Sequence, residues 1–101
     1  MTAAIFSPPA QDDLFSALRW IARDNPKAAQ ALLDAALSAA VRIGVHPQIG
    51  ALRPDLADEP YRLLTLPGFP YVVVYNAGRR PPLIVRFVHG ARDLPEVLRD
   101  L

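Results

Sequence analysis

Hydrophobic positions along the chain follow first a helical and then a strand period. Between Pro8 and about Arg23, Leu14, Leu18 and Ile21 recur at i, i+4 and i+7, flanked by Phe15 and Ala22, which predicts an amphipathic helix. Ser7 stands as its N-cap and Pro8 at its first position, where a missing N–H costs nothing. Asp12 and Asp13 lie in the first turns, where the helix dipole favours acids. Trp20 falls about 120° from the centre of the stripe at ~100° per residue. It either folds over the helix edge or offers a partner an apolar anchor. Arg23-Asp24-Asn25-Pro26 breaks the pattern, with Asn25 as cap and Pro26 opening a second helix that runs to about Ile43. Ala29, Leu32, Leu33, Ala36, Leu37, Ala40 and Val41 give that helix a wide apolar face, and Gly44 is placed to terminate it. The short connection makes the two helices an antiparallel hairpin. Ahead of them, Ala3–Phe6 reads as a strand that must pair with a later sheet.

From Val45 to Glu59 the chain carries turn formers at His46-Pro47, Ile49-Gly50 and Arg53-Pro54-Asp55, and Ile49, Leu52 and Leu56 are the residues expected to pin this loop. The period then becomes two. Tyr61–Leu66, Tyr71–Asn76 and Leu83–His89 read as strands separated by tight turns at Pro67-Gly68 and Ala77-Gly78. The first strand puts Arg62, Leu64 and Leu66 on one face and Tyr61, Leu63 and Thr65 on the other. The second is apolar on both faces and is expected to be central. The third divides into Leu83, Val85, Phe87 and His89 against Ile84, Arg86 and Val88. Asp93 and Glu96 hold the spacing of a capping box before a short helix over Leu94–Asp100. The expected architecture is one α+β domain over residues 1–101: an N-terminal strand, a helical hairpin packed on a C-terminal antiparallel meander, and a short last helix.

Composition narrows the chemistry. The chain is 51% hydrophobic and 21% charged, which suits a packed globule. It has no Cys, and His46 and His89 alone are too few for a metal site, so neither metal nor cofactor is expected. No basic, apolar leader or long apolar run stands out, so no membrane span is expected and the cytoplasm is the expected location. The net charge of +1 hides a division. Residues 1–59 sum to −2, residues 60–92 carry five arginines and no acid, and residues 93–101 sum to −2. A basic segment of this kind suits an acidic partner: nucleic acid, a phosphate or an acidic peptide.

No glycine-rich phosphate loop, H-E-x-x-H or G-x-S-x-G motif is present. Ser7 and Ser38 fall at a helix start and inside a helix, a poor setting for a nucleophile. Arg62, Tyr75, Arg86, His89 and Arg92 remain, on or just after the strands. Arginines there could stabilise a phosphate, with His89 as acid or base. The unknown registers leave open whether Arg62 and Arg86 share a face with His89.

The order of short motifs resembles the RelE/ParE superfamily of toxins from bacterial toxin–antitoxin modules. The matching pieces are Ser7-Pro8 with Asp13-Leu14, Asp24-Asn25-Pro26-Lys27-Ala28-Ala29, His46-Pro47 through Ile49-Gly50, and Arg53-Pro54-Asp55-Leu56. Tyr61-Arg62, Phe69-Pro70-Tyr71-Val72-Val73-Val74-Tyr75 and His89-Gly90-Ala91-Arg92-Asp93-Leu94 complete the set. The resemblance implies the same α+β fold. It also implies one of two functions: poisoning of DNA gyrase, as in ParE-like members, or ribosome-dependent mRNA cleavage, as in RelE-like members. Lys27 is the sole lysine and the acidic tail after Arg92 holds no Tyr or His, which favours the ParE-like branch. That branch implies a ParD-like antitoxin and DNA gyrase as partners, with no need for direct nucleic-acid binding. Trp20, Arg62, Tyr75, Arg86 and Arg92 are then the expected antitoxin contacts. The nuclease alternative would use Arg62, Arg86 and His89, and a third reading is an inactive toxin-fold binding module.

Overall fold

Local signals set where the helices begin. In the computed structural model, which describes residues 2–90, 93–99 and 101, Ser7 Oγ accepts the Ala10 N–H at 3.2 Å and Pro8 opens α1 (Pro8–Ala22). Asn25 Oδ1 accepts the Ala28 N–H at 3.1 Å and Pro26 opens α2 (Pro26–Val45). Both caps satisfy an N–H that the first helical turn leaves without an intrahelical partner. The buried stripe of α1 is Ala10, Leu14 and Ala17, with Leu18 and Ile21 partly buried; Phe15 and Ala22 are exposed, contrary to the sequence pattern. Small residues lead the stripe because α1 lies against both β4 (Leu83–His89) and α2.

The C-terminal end of α2 departs from expectation. Gly44 does not end the helix, which continues to Val45 and closes with the His46 N–H on the Arg42 carbonyl at 2.8 Å. The glycine instead admits the N-terminal segment: a Cβ there would collide with the Thr2 carbonyl oxygen and lie 2.8 Å from Ala3 Cα. The buried face is also turned. Ala39 and Ile43 join Leu32 and Ala36 in the core, whereas Leu37 and Val41 are half exposed. By length and mean hydropathy (1.3) α2 could cross a membrane, which the sequence reading had not anticipated. Its fully buried Leu32, Ala36, Ala39 and Ile43 are packed as in the core helix of a globule.

The sheet is mixed, in the order β1-β4-β3-β2. β2 (Tyr61–Thr65), β3 (Tyr71–Asn76) and β4 form the expected antiparallel meander, and β1 (Ile5–Phe6) adds in parallel to β4. β1 is shorter than expected because Ala4 has already turned to α2, its N–H on the Ala40 carbonyl at 2.9 Å. Leu66 lies past the end of β2 and begins the next turn, where the Phe69 N–H meets its carbonyl at 3.2 Å. Pro67 supplies the fixed φ of that turn and Gly68 its φ of +81°.

Val73, Tyr75, Ile84 and Phe87 face the helices, while Val72 and Val74 join Leu63 and Leu98 in a second cluster that α3 (Leu94–Arg99) helps to cover. Ile84 and Phe87 are three residues apart, so strict alternation along β4 fails. The cause is a register shift: Val74 pairs with Arg86 but Tyr75 pairs with Ile84, leaving an extra residue on β4. Of the three residues expected to pin the loop before β2, Ile49 and Leu52 are exposed and Leu56 packs, together with Ala57. The loop is tied instead by Ala51, which exchanges two backbone hydrogen bonds with Leu63. The expected end of the last helix at Asp100 lies outside the described residues.

Gly44→Ala should test the close approach. Helix propensity alone would favour alanine by about 1 kcal/mol, but the forced shift should reverse the sign and destabilise by about 1–3 kcal/mol. Urea denaturation reads the stability, and hydrogen exchange should show faster amides at Ala4, Ile5 and Ser7. A variant at least as stable, with unchanged protection, would show that the N-terminal segment is not held by this contact.

Candidate functional site

His89 and Arg62, expected to act together, stand four residues apart along β3 and line different cavities. At one end a groove of about 530 Å³ lies between α1, β4 and α3 and is lined by Trp20, Arg86 and His89 among others. Arg86 is gripped there by Asp13 of α1: Nε donates to Oδ2 at 2.7 Å and Nη2 to Oδ1 at 3.0 Å. The Phe87 N–H donates to the same Oδ2 at 3.0 Å. Asp13, read from sequence as a favourable charge for the helix dipole, lies beyond the first turn and joins α1 to the sheet. Its partners Arg86 and Phe87 come from β4, so no local sequence pattern marks this role. Trp20 is 68% exposed, and the Arg23 guanidinium lies 5.3 Å from its ring centroid, a cation–π contact. Tyr71 stacks on Phe87 at 5.2 Å and meets His89 edge-on at 5.8 Å. Ser16, an exposed serine of α1, lines this groove too and accepts from Arg19 Nη2 at 3.3 Å.

At the other end Tyr75 is fully buried. Its hydroxyl donates to the Pro47 carbonyl at 2.7 Å and accepts the Gly50 N–H at 2.8 Å. Tyr75 was expected among the antitoxin contacts; burial removes it from any partner, and its hydroxyl serves the fold by anchoring the loop that follows α2. A Cβ at Gly50 would lie 2.8 Å from that hydroxyl, so glycine is what lets the loop approach. Burial pushes the Tyr75 phenol above its ordinary 10.0, outweighing the Gly50 hydrogen bond and the Arg62 charge. Arg62 holds the same loop, with Nη1 donating to the carbonyls of Gly50 at 2.8 Å and Gln48 at 3.2 Å. It lines a second cavity, about 380 Å³ in volume, together with Arg80 of the β3–β4 turn.

The registers give the separation. Arg62 is opposite Tyr75 and His89 is opposite Tyr71, so the two ends are four residues apart along β3, or about 13 Å at ~3.3 Å per residue. Arg86, opposite Val74, is one position from Arg62 in register but on the other side of β3; it lines the groove with His89, and Arg62 does not. Arg92 lies outside the described residues. Among the described residues no group of three or more His, Asp or Glu side chains could hold a metal ion.

Residues 4–94 match the family model described as the ParE toxin of the type II toxin–antitoxin system parDE. A solved structure described as the chromosomal ParDE TA system from P. aeruginosa is similar in fold, with a TM-score of 0.71 and 20% sequence identity. The match covers 88% of this chain and 96% of that one. No curated protein matches the chain.

Tyr75→Phe should isolate the role of the buried hydroxyl. Its loss leaves the Gly50 N–H and the Pro47 carbonyl without that partner, a cost of about 1–3 kcal/mol. The sign of the pH effect follows from the raised phenol. The unfolded chain ionises Tyr75 first, so its contribution is intact below its ordinary 10.0 and is lost as pH rises through and beyond that value. The stability gap between wild type and Tyr75→Phe, from urea denaturation, should therefore narrow between about pH 8 and about pH 11. A constant gap across that range would rule out this linkage.

Proposed function

Since the chain belongs to the ParE toxin family of type II toxin–antitoxin systems, we propose that it arrests growth in the cytoplasm by inhibiting DNA gyrase and is neutralised by a ParD-like antitoxin. The supporting observation is the separation of Arg62 from His89 along β3, with Arg86 already engaged by Asp13. Phosphodiester cleavage needs its acid, base and charge-stabilising groups within hydrogen-bond reach of one phosphate. Here Arg62 and His89 stand four residues apart along β3, and the Nε and Nη2 edge of Arg86 grips Asp13. That arrangement favours a toxin that acts by binding over one that cuts mRNA.

The antitoxin reading rests on exposed apolar surface. Phe15 and Trp20 on α1 and Leu37 and Val41 on α2 are all about half exposed or more. An amphipathic antitoxin segment laid against the hairpin would cover them. Trp20 is its main anchor, because a large aromatic side chain removes much apolar area from water at little cost in conformational entropy. Arg86 is held by the Asp13 carboxylate, so any antitoxin acid near it steers encounter and register more than it adds affinity.

Purified protein should inhibit supercoiling by gyrase and trap cleaved DNA, and should leave mRNA on translating ribosomes intact. Codon-dependent mRNA cleavage in a purified translation system, with gyrase unaffected, would replace this reading with the endonuclease one. For the antitoxin, Trp20→Ala should weaken binding by about 2 kcal/mol or more, measured by calorimetry on a variant whose circular dichroism is unchanged. Wild-type affinity in that variant would move the docking surface off the hairpin.

A further inference from the structure

The cavity at the Tyr75 end has walls from the loop after α2, the start of β2 and the β3–β4 turn. Two arginines line it, and both are held in the same way. Arg62 uses Nη1 on the carbonyls of Gln48 and Gly50. Arg80 uses Nη1 on the carbonyls of Ala77 at 2.7 Å and Arg79 at 2.9 Å. In each, the Nε and Nη2 edge has no protein partner among the described residues, and neither side chain is in an ion pair with one of them. That edge is the one this protein uses to hold carboxylates elsewhere. Arg86 grips Asp13 through Nε and Nη2, and Arg53 grips Asp55 through Nε at 3.1 Å and Nη2 at 2.9 Å. A fork oriented by backbone carbonyls loses little further freedom on binding, and its geometry matches a planar oxyanion.

We propose that this cavity is a binding site for an acidic peptide segment, one carboxylate seated in the open forks of Arg62 and Arg80. The rest of the lining selects the class of ligand. Two arginines facing Glu59 leave one positive charge, which suits a single carboxylate and disfavours a run of phosphates. Val45 and Leu52 are exposed on its rim beside Pro60, so an apolar side chain next to the acid would also be covered. A nucleic-acid backbone offers neither feature. The site lies about 13 Å along β3 from the His89 end, and its assignment does not depend on gyrase being the target.

The Nε–H signals of Arg62 and Arg80 in nitrogen-15 NMR spectra read the forks directly. The probe is the blocked peptide acetyl-Leu-Glu-Leu-amide, with acetyl-Leu-Gln-Leu-amide as the uncharged control. Both signals should shift saturably with the Glu peptide and not with the Gln peptide, while that of Arg86 stays in place. Arg80→Lys keeps the charge but loses the fork, and should weaken binding about tenfold, the loss of one charge-assisted hydrogen bond. Arg62→Lys should do the same, and Arg53→Gln, outside the cavity, should have no effect. Equal shifts with the two peptides, or full affinity in Arg80→Lys, would overturn the assignment. Saturation of the same signals by inorganic phosphate or a short DNA duplex at lower concentration than the peptide would overturn it in favour of a phosphate site.

Discussion

β1 pairs with only two residues of β4, and among the described residues no strand pairs with the rest of its outer side. A sheet edge left in this state exposes backbone groups that must be satisfied or solvated. Here α1 takes over the task. The Ser7 N–H reaches the Ile84 carbonyl at 2.9 Å, the Ser7 hydroxyl donates to the Val85 carbonyl at 3.1 Å, and Asp13 accepts the Phe87 N–H at 3.0 Å. The cap of the helix and a carboxylate one and a half turns later thus continue the ladder where β1 stops. These bonds fix how α1 sits on the sheet, and with it the placement of Trp20 beside the groove. Among the described residues no buried side-chain nitrogen or oxygen lacks a hydrogen bond. The Asp13–Arg86 pair is only partly exposed, so removing either partner alone would leave a poorly solvated charge.

The bulge in β4 belongs to the same constraint. An extra residue at Val85 allows Ile84 and Phe87 both to enter the helix-side core, and Arg86 to turn toward α1. Bulges re-aim side chains and increase local twist. Without it, strict alternation would place Ile84 and Phe87 on opposite faces of the sheet.

Features set by a few adjacent residues were legible in the sequence. Ser7-Pro8, Asn25-Pro26 and Pro67-Gly68 each carry their own steric and hydrogen-bonding logic, and the helix starts and the turn fall where they point. Features set by distant residues were not. Gly44 reads as a terminator, and only the Thr2 and Ala3 backbone, some forty residues upstream, explains it. Asp13 reads as a dipole charge until β4 is in place. Tyr75 reads as an available aromatic, yet its partners Pro47 and Gly50 come from a loop whose path no local pattern reveals. The family resemblance implied the same fold that the hydrophobic pattern predicts, and the family model covers residues 4–94. The grouping of the site residues depended on strand register, which one inserted residue in β4 alters.

The arginine-rich segment illustrates how far charge counting goes. Five arginines without an acid suggest one basic face. The fold divides them instead. Arg86 is neutralised by a carboxylate from another element, while Arg62 and Arg80 are clamped by backbone carbonyls. A carbonyl clamp and a carboxylate clamp differ in consequence. The carboxylate cancels the charge and occupies the guanidinium edge suited to bidentate binding. The carbonyls restrain the side chain but leave both its charge and that edge in place. Recognition of an acid by this protein is therefore governed less by the number of arginines than by which atoms of each guanidinium the fold has already engaged.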